Sequence, residues 1–191
     1  MFRFENTSRL LFVLMSPMTV TAGPDISINS IYYNVSGDTA DEIWTDIITK
    51  SPVRQQGKQH VAYTKWHVNW KFWWLDNGDT CEISKVATSL DITYTLPELE
   101  QSSFIPDPLL SRWQSYYSAL IEHEHGHRDF GIRAAEEIEN EIAAMGARNS
   151  CKQLEHDANN IGEHVIRKYS LIEKNYDQST NHGLSTGAVF P

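Results

Sequence analysis

The chain has 191 residues, 40% of them hydrophobic, with 16 Lys and Arg against 25 Asp and Glu and a net charge of −9. That length supports one domain with a proper core, and so acidic a chain is a poor candidate for holding nucleic acid or anionic lipid, where basic patches supply the attraction. Beyond the N-terminus no stretch is long and apolar enough to span a bilayer.

Residues 1–22 read as an export signal. Arg3 and Arg9 come before an apolar run over 10–20, and Val20, Thr21 and Ala22 then lead to Gly23. Pro17 and the shortness of the run argue against a permanent membrane anchor, so residues 23–191 are expected to form one exported domain, periplasmic or secreted, with no stable membrane span. Cys81 and Cys151 are the two cysteines, and an oxidising compartment favours a disulfide between them.

Ile26, Ile28, Ile31, Tyr33 and Val35 give residues 25–35 the pattern of a strand that stops at Ser36 and Gly37. Thr39 and Glu42 then form a capping-box pattern that opens a short helix through Ile43, Trp44, Ile47 and Ile48, and Pro52 ends it. Over 61–75 the chain alternates: Ala62, Thr64, Trp66, Val68, Trp70, Phe72 and Trp74 share one face, with Lys65, His67, Asn69 and Lys71 on the other. Such a tryptophan row serves either as a stacking platform or, more commonly, as the sheet face packed beneath helices. The turn residues Asp76, Asn77, Gly78 and Asp79 predict a hairpin into a second long strand that begins at Cys81 and ends at Leu96 and Pro97.

After a polar linker, Asp107 and Pro108 suit the start of a helix. Its apolar stripe runs Leu109, Trp113, Tyr116, Leu120, Gly131, Ala134, Ile138, Ile142 and Met145, with Gly126 and Gly131 as places to bend and Gly146 as a stop. A second amphipathic helix carries Cys151, Leu154, Ala158, Ile161, Val165, Tyr169 and Ile172. The tail from Tyr176 onward has turn chemistry and is expected to fold back on the body.

Within the long helix stands His123-Glu124-His125-Gly126-His127, an H-E-x-x-H motif in register with the apolar stripe. Side chains four apart share a helix face, so His123 and His127 can direct two imidazoles at one metal ion while Glu124 reaches a water beside it. Buried polar groups without partners are costly, and a Zn2+ ion would satisfy them. The implied chemistry is metal-assisted hydrolysis with Glu124 as general base.

Two histidines do not complete a catalytic zinc site, which generally takes three protein ligands. The position ten after His123 is Arg133, which excludes the third-histidine spacing of the metzincin pattern. A carboxylate on the second helix (Glu155, Asp157 or Glu163) would complete the set, or His182 in the tail would; His182 is preferred, with Asp177 near enough to orient its ring. Tyr176 is either a packing residue or a phenol donor to the oxyanion of the reaction.

The chain resembles the bacterial family of unknown function DUF922, described as predicted secreted zinc-dependent proteases in the H-E-x-x-H metallopeptidase clan. The residues carrying the resemblance are 33–37, 62–70, Leu96 and Pro97, Trp113, 123–127, and the ending Tyr176, Asp177, Thr180, His182 and Gly183. The resemblance implies zinc ligation by His123 and His127 and a general-base role for Glu124. The expected fold is α+β and zincin-like: a small, mostly antiparallel sheet with a short helix, then a long helix bearing the motif and a second amphipathic helix. The expected substrate is a peptide or protein; the alternative is an exported module that binds metal or a partner without catalysis.

Overall fold

A computed structural model describes residues 23–190 except 56 and 101–104, so the signal expected over 1–22 lies outside the described residues. Strand β1 (Asp25–Val35) leads into helix α1 (Ala40–Lys50), followed by the two-residue strands β2 (Arg54–Gln55) and β3 (Lys58–Gln59), then β4 (Tyr63–Asp76) and β5 (Cys81–Leu99). Two long helices follow, α2 (Asp107–Ala143) and α3 (Cys151–Thr180), and a short 3-10 turn (Leu184–Thr186). Among the described residues the architecture is mixed α+β, with three α-helices and a three-stranded main sheet.

Local chemistry sets most boundaries. The Glu42 amide donates to Thr39 Oγ1 at 3.3 Å and Glu42 Oε2 accepts from the Thr39 amide at 3.1 Å, the reciprocal pair that satisfies the free donors of a helix start. Gly78 turns the β4–β5 hairpin at φ +86°, a conformation that favours glycine. β5 continues through Pro97 to Leu99 rather than stopping at Leu96. Past Thr95 its pairing among the described residues is with β1 alone, where a residue lacking an N–H is tolerated.

The sheet order is β1-β5-β4. β4 and β5 pair antiparallel as expected, but β1 lies parallel to β5 from Asp25 opposite Ser89 to Val35 opposite Leu99, so the sheet is mixed rather than mostly antiparallel. A period-two pattern fixes which face each side chain takes and not which strand becomes its neighbour.

α2 crosses the β4–β5 face as one continuous helix of 37 residues, about 55 Å at 1.5 Å per residue. Leu120, Ala134, Ile138 and Ile142 are buried between it and Val68, Leu90, Ile92 and Leu96. The helix is not interrupted at Gly126 or Gly131, the two places where it could bend; both glycines admit side chains from neighbouring elements. A Cβ at Gly131 would stand 2.9 Å from Trp66 Cγ, and one at Gly162 of α3 would stand 2.5 Å from the Trp70 ring. The tryptophan row thus packs beneath the helices at these two positions.

α3 packs against α2, and its start is tied to β5 by the Cys81–Cys151 disulfide, whose Cα atoms are 5.0 Å apart. It runs through Tyr176 and Asp177 to Thr180, so these two residues belong to a helix rather than to a tail. The rest of the tail does fold back: Phe190 is buried against Trp113 and Tyr116, with ring centroids 5.8 and 5.2 Å away.

Candidate metal centre

His123, Glu124 and His127 fall on the buried stripe of α2, at 4%, 4% and 8% exposure. The last turns of α3 bring Asp177 up to them. His123 Nε2 lies 3.2 Å from Asp177 Oδ1, His127 Nε2 lies 3.1 Å from the same oxygen, and the two Nε2 atoms are 3.3 Å apart. Among the described residues these three form the group able to hold a metal ion.

The arrangement fits a small divalent ion. In a tetrahedral site with bonds of about 2.0–2.1 Å, donors stand about 3.3–3.4 Å apart, close to the triangle observed. The donor set, two imidazole nitrogens and one carboxylate oxygen, is also one that zinc accepts. Without a metal, a proton fills part of this role. Burial lowers His127, but its hydrogen bonds to Asp177 and Glu173 outweigh that and raise its pKa to about 10. Burial likewise pushes the Asp177 carboxyl up, and the hydrogen bonds from His123 and His127 overcome it, holding Asp177 well below the usual carboxylate range.

Glu124 is not one of the three donors. Its Oε2 accepts from Thr64 Oγ1 of β4 at 2.5 Å, and the same hydroxyl reaches the Glu124 carbonyl at 3.1 Å. Burial raises the Glu124 pKa, and the Thr64 bond works against that rise. Its side chain shares a cleft of about 400 Å³ with His123, His127 and Asp177, walled on the apolar side by Trp44 and Leu120.

On its outer side His127 Nδ1 lies 3.3 Å from Glu173 Oε1, the oxygen to which Trp66 Nε1 donates at 2.7 Å. Tyr176 stacks on the His123 ring at 4.9 Å and 12°. A Cβ at residue 126 would come within 2.5 Å of its hydroxyl, so Gly126 inside the motif is what lets Tyr176 approach. Tyr176 therefore packs between α2 and α3 and lines neither of the two clefts beside the metal group.

His182, the preferred third ligand from sequence, stands at the mouth of the same cleft with its side chain 56% exposed and Nδ1 3.5 Å from Asp177 Oδ1. It is outside the compact group; Asp177, expected only to orient it, is inside. Of the carboxylates weighed as alternatives, Asp157 pairs with Arg148 and Glu163 with Arg167, while Glu155 is exposed. Asp177, Glu173 and Thr64 were the residues sequence reasoning missed in these roles. A signal for the first two existed. The stripe Val165, Tyr169, Ile172 continues at helical spacing to Tyr176, which carries Glu173 and Asp177 onto one adjoining face, four residues apart.

These features define an α+β protein in which two packed helices offer a cation two imidazoles and a carboxylate beside a buried glutamate. Residues 30–183 match the family described as bacterial protein of unknown function (DUF922), and the chain belongs to that family. Searches of curated proteins and of solved structures find no match.

Proposed function

We propose that this protein is an exported zinc-dependent peptidase of zincin-like design, in which His123, His127 and Asp177 hold the ion and Glu124 is the general base. The observation that carries the reading is the cleft shared by a compact three-donor group and the Glu124 carboxylate. When bound, the ion supplies Lewis-acid polarisation of a carbonyl and lowers the pKa of a water to about 7.

Glu124 takes a proton from the attacking water and returns it to the leaving amine nitrogen. Thr64 engages Oε2 and works against the rise in pKa that burial causes, leaving Oε1 for the water. Among the described residues β4 lies at the edge of the sheet, and residues of β4 and α3 line a groove of about 520 Å³ that runs from Trp70 to Tyr63 and Glu173. An extended peptide adding to that edge would be led toward the metal group. The disulfide supports export, because such bonds persist in oxidising compartments.

The test is Glu124→Gln, with zinc content measured by elemental analysis and cleavage followed on a fluorogenic peptide library. Retained zinc with abolished cleavage is expected. Undiminished cleavage would remove Glu124 from the mechanism, and a wild type that binds zinc but cuts nothing would leave a non-catalytic metal-binding module.

A further inference from the structure

We propose that Glu173, held by the Trp66 indole, is the positioning residue that fixes which nitrogen of His127 faces the metal; this rests on the zinc reading above. A neutral imidazole carries one N–H and one lone pair, and only the lone pair can bind a cation. His127 turns Nε2 toward Asp177 and His123, so once a cation takes the Nε2 lone pair the ring's one proton must sit on Nδ1. The atom facing Nδ1 is Glu173 Oε1, at 3.3 Å. A carboxylate there selects the metal-binding tautomer and holds the plane of the ring.

Glu173 would be a poor guide if it were free to rotate. Trp66 Nε1 donates to the same oxygen at 2.7 Å, and Trp66 itself is wedged against α2 at Gly131, one turn beyond His127. β4, α2 and α3 thus meet at one carboxylate.

Satisfying an indole N–H does not require a charge. Four residues further along the same face, Trp70 Nε1 donates at 3.0 Å to Asn159 Oδ1, a neutral amide on the same helix, with Gly162 making the matching space. The two tryptophan sites differ in that the one beside His127 uses a carboxylate. The other ligand histidine has no such guide: His123 Nδ1 is buried without a hydrogen-bond partner among the described residues. Tautomer selection at this centre therefore falls on Glu173 alone.

The experiment measures zinc affinity of the full-length protein by competition with a chromophoric chelator, for wild type, Glu173→Leu, Glu173→Gln and Trp66→Phe, beside the thermal midpoint of each metal-free protein. Glu173→Leu should weaken zinc binding about 10–100-fold, in the range seen when a carboxylate behind a ligating histidine is removed. Glu173→Gln keeps an acceptor oxygen and should recover most of that loss. Trp66→Phe, which keeps the ring and removes the donor, should fall between them. Nitrogen-15 spectra of the zinc-loaded wild type should show a His127 Nδ1 proton protected from exchange, and Glu173→Leu should lose that protection. A packing role would lower the thermal midpoint without moving this signal or being rescued by Gln. Wild-type affinity in a folded Glu173→Leu protein overturns the proposal and leaves the metal centre standing. Failure of every protein, wild type included, to bind zinc overturns both.

Discussion

Replacing Thr64 with Val tests how Glu124 is kept ready for proton transfer. Valine matches the shape of threonine but lacks the hydroxyl, whose single proton is directed at Glu124 Oε2, 2.5 Å away, with the Glu124 carbonyl 3.1 Å away as the competing acceptor. A buried hydrogen bond to a charged group contributes about 1.5–3 kcal/mol, and one pKa unit corresponds to about 1.4 kcal/mol. That bond favours the ionised form, so its loss should raise the already elevated Glu124 pKa by about one to two units. The shift is read directly from the Glu124 side-chain carbon-13 resonance across a pH titration, which requires no substrate. A carboxyl whose folded pKa lies above its unfolded value costs stability as pH rises through the interval between the two. Thr64→Val should therefore be less stable than wild type at neutral pH, and the gap should narrow in acid. If the reaction is peptide hydrolysis, the acid limb of kcat/KM should move up by the same one to two units. A Glu124 titration midpoint unchanged in Thr64→Val would refute the reasoning, because the hydroxyl would then be contributing nothing to the charge state.

Removing the disulfide by Cys81→Ala with Cys151→Ala releases a closure of 70 residues; the chain-entropy relation gives about 4.4 kcal/mol, or a drop of about 9–18 °C in Tm at this chain size, measurable by calorimetry. In zinc titrations, Asp177→Ala should lose more than the ~10–100-fold that removing a supporting contact costs, while His182→Ala should stay within about threefold of wild type. Equal losses in both would make His182 a ligand after all. The metal-free protein should lose stability toward denaturant as pH rises from about 6.5 to about 10, since His127 is raised in the folded state and its contribution is complete only below the unfolded value. A denaturation midpoint that stays flat over that window would contradict the paired state of His127 and Asp177.

Elements governed by neighbours in sequence were legible. The capping box at Thr39, the hairpin at Gly78 and the stripe from Leu109 to Ile142 each follow from residues a few positions apart, and so does the pairing of His123 with His127 on one helix face. What was not legible depended on the offset between packed elements. Asp177 meets His127 fifty positions away only because α3 extends to Thr180 and lies alongside α2 in one register. The Asp-Gln-Ser-Thr-Asn run reads as a turn because Asp, Ser and Asn compete for backbone hydrogen bonds outside helices, yet with Tyr176 packed against His123 and Gly126 the helix continues to Thr180 and Asn181 takes the left-handed cap. The parallel β1–β5 pairing escaped for a related reason: β1 finds its partner across the whole α1 and hairpin excursion.

The contact between Trp66 and Glu173 also has a practical consequence. An indole one carboxylate removed from the candidate centre is close enough for an open-shell ion such as Cu2+ or Co2+ to quench its fluorescence, whereas Zn2+ would leave the emission largely intact. Occupancy of the centre should therefore be readable from the light that Trp66 emits, with Trp66→Phe isolating its share from the other five tryptophans.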